Sequence, residues 1–264
     1  MRGTKTLAAL AVALTAGALA AGSARAITNG QPDGTDHPNV GAVIADLPFT
    51  GKSPVCSGTL ISPIAFLTAG HCTAYLTSLG ITQVWVSFDS KLDPGSWTLI
   101  PGTYETDPAF GHDRADLHDL GVVVLAQPVT WIAPATLPPA GLLDQIAAHA
   151  GLRGETFTNV GYGFSGRVTG GGPPRFLYDG LRRVSVSLFA ALTSSSLRLL
   201  GNRRGTDLGG VCYGDSGGPH FLTGSSTIVA ITSGGDAVCS GMSANYRLDT
   251  PSARAFLGRF VTLP

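Results

Sequence analysis

Short runs of apolar and β-branched residues, separated by glycine, proline and polar residues, recur along most of the chain. Residues 84–88 alternate with the period of two that a half-buried strand shows, and residues 121–125 are continuously apolar, as in a fully buried strand. Further strands are predicted at 40–45, at 58–67 as two short strands around the Ser62-Pro63 turn, and at 160–164, 181–188, 220–222 and 227–233.

Two segments interrupt the strands, and the C-terminal segment has a different pattern. Residues 132–141 contain three prolines and are predicted to be a linker, and residues 170–174 to be a loop. Thr250 can cap a helix that has Pro251 in its first turn and apolar residues on one face within 255–260. No internal repeat is found. Strands at short spacing, one linker and one final helix predict an all-β fold of two β-barrels in tandem.

The composition narrows the class of protein. Hydrophobic residues make up 44% of the 264 residues and charged residues 13%, which excludes an intrinsically disordered chain. The 17 basic and 17 acidic residues cancel, so neither a nucleic acid nor an anionic membrane is expected as a partner.

The first 26 residues are predicted to be a secretory signal peptide. Two basic residues precede an apolar run at 7–21, which is short and rich in alanine for a membrane anchor, the alternative interpretation. Small residues at Ala24 and Ala26 fit cleavage after Ala26, with cleavage after Ala24 as the alternative. The mature protein would begin at Ile27 with 14 basic and 17 acidic residues. We expect it to be soluble, secreted and extracellular.

The four cysteines are Cys56, Cys72, Cys212 and Cys239, and export permits disulfides between them. Three pairings are possible, of which pairing between near neighbours is the simplest. Only His71 adjoins a cysteine and no CxxC sequence occurs, so a zinc site is not expected. No metal and no cofactor is predicted.

Two segments carry residues suited to proton transfer. His71 follows a predicted strand and precedes Cys72, so a disulfide there would fix the position of the histidine. Asp119 lies at the mouth of the buried strand 121–125, where a low dielectric strengthens hydrogen bonds to its carboxylate.

A third segment, residues 214–219, carries a candidate nucleophile. Ser216 stands among glycines, which let a substrate carbonyl approach the backbone closely. The backbone N–H groups of Gly214 and Ser216 could then point at a developing oxyanion.

These segments resemble motifs of the chymotrypsin-type (trypsin-like) serine proteases. Residues 214–219 read GDSGGP, identical to the family motif, and the segment around His71 is similar to its TAAHC motif with Gly70 in place of an alanine. Further similarities are found at 119–125 (D-I-A-L-L-x-L), at 27–30 (I-V-G-G, with Thr28 and Asn29 departing from it) and at 161–163 (G-W-G). The abundance of alanine, glycine and arginine and the short leader look bacterial.

The resemblance implies a chymotrypsin-like fold and a serine endopeptidase. The two six-stranded antiparallel barrels would cover about 27–135 and 142–249, with a helix at about 250–261, in one protease domain of residues 27–264. Ser216 would be the nucleophile, His71 its base, and Asp119 the residue that orients His71, in a reaction through an acyl-enzyme.

The resemblance also implies supporting features. The N–H groups of Gly214 and Ser216 would form the oxyanion hole, and the disulfides would be Cys56–Cys72 and Cys212–Cys239. The free amine of Ile27 would pair with buried Asp215, and cleavage after Ala26 would release this amine directly. Protein or peptide substrates are expected as partners, and the protein is expected to be a monomer.

The family's specificity pocket corresponds to four small residues, Gly210, Ser233, Gly235 and Ala244. Gly210, six residues before Ser216, would be the floor and carries no charge, so an open, apolar pocket for Phe, Tyr, Leu or Met is predicted rather than one for Lys or Arg. Asp236, and to a lesser extent Asp207, would contradict this prediction if the alignment were shifted.

Other interpretations fit the residues less well. Asp113 and Asp116 compete with Asp119, but neither directly precedes the apolar strand. Residues 214–218 also fit G-x-S-x-G of the α/β-hydrolases, which need an acid and a histidine after the serine, whereas only His220 follows, too near to serve. A non-enzymatic relative usually lacks one of the three residues, and all three are present.

Overall fold

The computed structural model describes residues 27–165, 167–168, 175–201, 208–239 and 241–264. The predicted signal peptide, the predicted loop at 170–174 and Asp207 lie outside the described residues.

The described residues form short strands and three short helices. In chain order the first half contains β1 (Gln31–Pro32), β2 (Val40–Leu47), β3 (Gly51–Ser62), β4 (Ala65–Thr68), α1 (Gly70–Ser78), β5 (Gln83–Ser87), β6 (Ile100–Thr106) and β7 (Gly121–Leu125). The second half contains α2 (Leu142–Ala148), β8 (Thr156–Gly161), β9 (Arg167–Val168), β10 (Arg175–Phe176), β11 (Arg183–Leu192), β12 (Ser196–Leu200), β13 (Pro219–Leu222), β14 (Ile228–Gly235), β15 (Met242–Arg247) and α3 (Pro251–Leu257).

Two six-stranded antiparallel barrels account for most of these strands, which confirms the predicted fold class. The first barrel closes in the order β2-β3-β4-β7-β6-β5. The second has the order β11-β12-β15-β14-β13-β8 and closes by the pairing of β8 with β11, while β1 adds to the outer edge of β11. Strands β9 and β10 pair with each other in a separate two-stranded sheet.

The two barrels differ in what fills them. The first has an apolar interior, in which the whole of 40–45 and the predicted strand 121–125 contribute buried side chains. The second contains a buried polar group made of Asn159, Ser185, Ser187, His220 and Asn245. Buried polar atoms must find partners, so hydrogen bonds specify this part of the second barrel, which also holds an apolar cluster that includes Phe157, Leu197 and Val229.

The C-terminal helix is present and begins as predicted. The side chain of Thr250 accepts a hydrogen bond from the backbone N–H of Ala253, and Pro251 lies in the first turn. Buried residues of α3 belong to the same apolar cluster as the first barrel. No helix within the described residues is long and apolar enough to cross a bilayer.

Candidate active site

His71 is fixed at the start of α1, immediately after β4. Its neighbour Cys72 forms a disulfide with Cys56 of β3, with the two Cα atoms 6.4 Å apart. The backbone passes close to the segment before β7, because a Cβ on Gly70 would lie 2.9 Å from the backbone nitrogen of Leu120. This contact explains why glycine stands where the related motif has alanine.

Asp119 is buried and receives hydrogen bonds from three donors. The backbone N–H of His71 donates to Oδ1 over 2.7 Å, and ring atom Nδ1 of His71 lies 2.9 Å from Oδ2. The hydroxyl of Ser233 also donates to Oδ2, over 2.5 Å. A carboxylate can only accept, so Nδ1 of His71 carries the proton and Nε2 is left as the basic nitrogen.

The turn before β7 directs this carboxylate. His118 adopts a positive φ of 50°, which few non-glycine residues do, and its carbonyl accepts from the backbone N–H of Leu120. Of the competing acids, Asp113 accepts from the N–H of Ala115, and Asp116 accepts from two hydroxyl groups of the second barrel and α3. Neither forms a hydrogen bond to His71 among the described residues.

Ser216 lies on a tight segment between two glycines with positive φ, Gly214 (91°) and Gly217 (78°). Within the described part of the chain, no acceptor is paired with the N–H of Gly214 or of Ser216. Ser216 and His71 line the same cavity, without a hydrogen bond between them in the described residues. Such bonds are often long in unliganded enzymes.

Ser57 of the first barrel holds this segment, a role that no motif in the sequence indicates. Its N–H donates to the carbonyl of Ser216 over 2.9 Å, and its hydroxyl donates to the carbonyl of Gly214 over 2.9 Å. The same hydroxyl accepts from the N–H of Tyr162 over 3.0 Å. The only signal in the sequence was its place next to Cys56.

Asp215, the residue before Ser216, is buried. Its carboxylate accepts from the N–H groups of Cys212 and Gly163, each over 2.8 Å. Burial raises the pKa of Asp215 to about 7, against the opposing effect of these two donors. No basic side chain among the described residues forms an ion pair with it.

The segment that begins at Ile27 is docked nearby. Ile27 is completely buried, and Thr28 pairs with Gly210, whose N–H donates to the Thr28 carbonyl over 3.0 Å. Nothing joins Ile27 to Asp215 among the described residues, and the nitrogen of Ile27 is here part of the peptide bond that follows Ala26.

A cavity of about 300 Å³ opens beside Ser216 and His71. Its other lining residues are Val211, Cys212, Tyr213, Thr232, Ser233, Gly234, Gly235, Asp236 and Cys239. It therefore contains two of the four predicted pocket residues, and a disulfide joins two of its walls, Cys212 and Cys239.

The other two predicted pocket residues do not line this cavity. Gly210 lines an adjoining cavity of about 10 Å³, together with Asp236 and Ser243. Ala244 is exposed, because β15 turns its neighbour Ser243 inward instead. The structure also brings Asp236 into the lining of the main cavity.

A second cavity, also of about 300 Å³, adjoins Tyr213 and Gly214. It is lined by Pro54, Val55, Cys56, Tyr162, Phe164, Tyr178, Tyr213 and Gly214. Ring contacts join Phe164 to Tyr178 at 5.6 Å between centroids and Phe176 to Tyr213 at 5.4 Å. This aromatic lining had no motif in the sequence that could predict it.

One group of potential metal ligands occurs among the described residues, and it is not a metal site. It consists of Cys56, His71 and Cys72, whose two sulfur atoms are bonded to each other. Disulfide sulfurs are not thiolates, the form that binds zinc.

Comparison with known proteins agrees with the two-barrel fold. A family model described as Trypsin matches residues 33–255. A solved structure titled HL collagenase is similar with a TM-score of 0.66 and 17% identity over 88% of this chain and 97% of that chain, a likeness of fold. The chain therefore belongs to the trypsin family, and it is a serine endopeptidase that acts on protein or peptide substrates.

Proposed function

We propose that the chain is a secreted endopeptidase that cleaves peptide bonds with Ser216, His71 and Asp119 as a catalytic triad. The observation that carries this proposal is the donation from Nδ1–H of His71 to buried Asp119, which leaves Nε2 basic in the cavity that Ser216 also lines. Serine is a weak nucleophile near pH 7 and needs such a base.

The reaction proceeds in two halves. Oγ of Ser216 attacks the substrate carbonyl while Nε2 of His71 takes its proton, and the N–H groups of Gly214 and Ser216 stabilise the oxyanion. His71 then protonates the leaving amine, which gives an acyl-enzyme and a free new N-terminus. Water, deprotonated by His71, attacks the ester, and the acid product leaves as Ser216 recovers its proton.

A serine-directed phosphonate tests the assignment of the nucleophile. We expect one phosphonyl group per molecule, on the peptide that contains Ser216, because only this serine is activated. Mass spectrometry of a digest locates the label, and protein unfolded before treatment is the control. Labelling of another serine, or equal labelling of the unfolded chain, would contradict the assignment.

We further propose that cleavage after Ala26 activates the enzyme. Three observations support this: Ile27 is buried, Thr28 is paired with Gly210, and Asp215 is buried without a cationic side chain among the described residues. A buried carboxylate without a counter-charge is unfavourable, and the new amine would supply that charge. N-terminal sequencing of the secreted protein should give Ile27, and a start at Arg25 would contradict the proposal.

The stability of two proteins as a function of pH tests the pairing with Asp215. We compare a chain that starts at Ile27 with one extended by Ala26, both carrying Ser216→Ala to prevent self-digestion. In the extended protein the carboxyl keeps its raised pKa, so its favourable contribution is present below about pH 4 and is lost as the pH rises through 7. In the protein that starts at Ile27, the free amine of Ile27 pairs with the carboxylate, so this loss of stability does not occur.

The free energy of unfolding in urea should therefore differ increasingly between the two proteins from pH 4 to pH 7, by about 4 kcal/mol at most. Burial lowers the pKa of His220 to about 3, but this effect is common to both proteins and cancels in the difference. A constant difference across this pH range would show that the amine does not reach Asp215.

A further inference from the structure

The second cavity is lined mainly by aromatic side chains, unlike the main cavity. Four of its eight lining residues carry aromatic rings. The main cavity has only the rings of Tyr213 and His71 among its described lining residues, and two of its other residues, Gly234 and Gly235, have no side chain. None of the described residues that line the second cavity carries a charge at neutral pH, so apolar surface decides what it binds.

The rings of this wall contact one another, with Phe164 in the middle. The ring centroid of Phe164 lies 5.6 Å from that of Tyr178 and 6.2 Å from that of Phe176, and Phe176 lies 5.4 Å from Tyr213. These tilted and edge-to-face arrangements are favourable for aromatic pairs. The backbone N–H of Phe164 also donates to the carbonyl of Tyr213 over 2.8 Å. The aromatic wall is therefore formed before a ligand binds.

Two of the tyrosines are held by hydrogen bonds to backbone carbonyls. The hydroxyl of Tyr162 donates to the carbonyl of Asp89 over 2.8 Å, and the hydroxyl of Tyr213 donates to the carbonyl of Ala237 over 3.3 Å. Each hydroxyl has a single proton, which these bonds use. What the two side chains offer to the cavity is therefore the apolar surface of their rings.

The first barrel contributes three consecutive residues of β3 to the lining, Pro54, Val55 and Cys56. In a regular strand successive side chains face opposite sides. Here the register against β2 shifts, because Val43 pairs with Cys56 and Ile44 pairs with Pro54, which leaves Val55 as the extra residue of a β-bulge. A bulge redirects side chains, and it explains how three neighbours can border one cavity.

The second cavity lies beside the path of the amine half of a substrate. Gly214 lines it, and the N–H of Gly214 is a proposed oxyanion donor. Cys56 also lines it and is bonded to Cys72, the residue after His71. His71 protonates the leaving amine in the proposed reaction, so the amine half lies on the His71 side of the scissile bond. A side chain that follows the scissile bond can therefore reach this cavity.

We propose that the second cavity selects an aromatic side chain in the amine half of the substrate, and that Phe164 is the residue that decides this selection. An aromatic ring finds edge-to-face partners there, which an aliphatic side chain of the same size does not. A charged side chain would lose its hydration without gaining an ionic partner. An incoming amine occupies the same site as a leaving amine, so aromatic amines are also the preferred acceptors of the acyl group. The inference rests on the proposed function.

Acyl transfer measures the selectivity of the second cavity separately from that of the main cavity. The acyl-enzyme formed from one peptide ester is the same in every measurement, and only the attacking group differs. The amine nitrogen attacks the ester carbonyl on Ser216 and gives a proton to His71. The bond from the carbonyl carbon to Oγ of Ser216 then breaks, and His71 returns the proton to Oγ. The products are a new peptide bond and free enzyme, whereas attack by water gives the acid.

Three amines test the proposal on the wild type. The acyl donor is an N-acetyl tripeptide methyl ester, the fastest in a set that varies the residue before the ester, and the ratio of transfer to hydrolysis is measured at equal amine concentrations. We expect Phe amide to exceed Ala amide by roughly thirtyfold, because its ring is buried. It should exceed cyclohexylalanine amide by about threefold, because only an aromatic ring gains the ring contacts.

The variant Phe164→Ala removes the central ring of the wall. It should lower the preference for Phe amide over Ala amide by roughly tenfold. Phe49→Ala is the matched control, because Phe49 is 99% exposed in the turn between β2 and β3 and lines neither cavity. The control should keep the wild-type preference.

Four outcomes would overturn the selectivity while hydrolysis of the ester persists. They are equal transfer to Phe amide and Ala amide, transfer to cyclohexylalanine amide that equals or exceeds transfer to Phe amide, an unchanged preference in Phe164→Ala, and an equal loss of preference in Phe49→Ala. The first two need only the wild type, so they do not depend on the folding of a variant. Absence of all hydrolysis together with absence of phosphonate labelling would overturn the proposed function, and the selectivity with it.

Discussion

Ser216→Ala should lower kcat by roughly a million-fold, equivalent to about 8 kcal/mol in the activation barrier. The variant removes one oxygen, and the backbone hydrogen bond from Ser57 to the carbonyl of residue 216 does not depend on that side chain. The fold and the binding of substrate should therefore persist. The measurement is single-turnover hydrolysis of a peptide amide, with circular dichroism to verify folding.

Ser233→Ala is an informative companion to this variant. It removes another hydroxyl from the same cavity, but one that donates to Asp119 rather than attacking the substrate. We expect the loss in kcat to be smaller than that of Ser216→Ala by several powers of ten. Turnover near the wild-type rate in purified Ser216→Ala protein would show that another residue is the nucleophile.

Asp119→Asn should lower kcat by about ten-thousand-fold. Three donors converge on Asp119, and an asparagine has only one oxygen to offer them, since its amide nitrogen is itself a donor. His71 would then adopt the tautomer in which Nε2 carries the proton and Nδ1 does not. In this tautomer Nε2 cannot accept a proton from Ser216. The kinetics of peptide hydrolysis measure the loss.

The control for this prediction is Asp116→Asn. Asp116 is the nearest competing acid in sequence, but its oxygens accept from the hydroxyls of Tyr246 and Ser252, over 2.6 Å each. Its replacement should lower the free energy of unfolding but change kcat little. If Asp116→Asn loses activity as severely as Asp119→Asn does, the assignment of the acid in this loop is incorrect.

The fold and the candidate residues His71, Asp119 and Ser216 could be predicted because the signals for them are patterns of neighbouring residues. A continuous apolar run predicts strand 121–125, and the structure has it with the same bounds. A cap and a proline predict the last helix at Thr250. Such signals need only neighbouring residues.

Other features depend on contacts between distant residues and could not be predicted. Strand β15 could not be predicted from an apolar pattern, because two of its inward residues, Ser243 and Asn245, are polar and are hydrogen-bonded inside the protein. Helix α1 has no side-chain cap at Ala69. The location of Asp236 depends on how the loop after β14 folds back, which spacing alone does not determine.

Under the proposed mechanism, the hydrogen bonds of Ser57 make the rate of hydrolysis depend on how the two barrels are docked. His71 and Asp119 belong to the first barrel and Ser216 to the second, and Ser57 spans the junction through the carbonyls of Ser216 and Gly214. Each barrel has its own closed ring of strands and its own disulfide, and one apolar cluster continues between them through residues such as Phe66 and Phe221. A substitution that separates Ser57 from these two carbonyls should then reduce hydrolysis while the strands of each barrel remain paired.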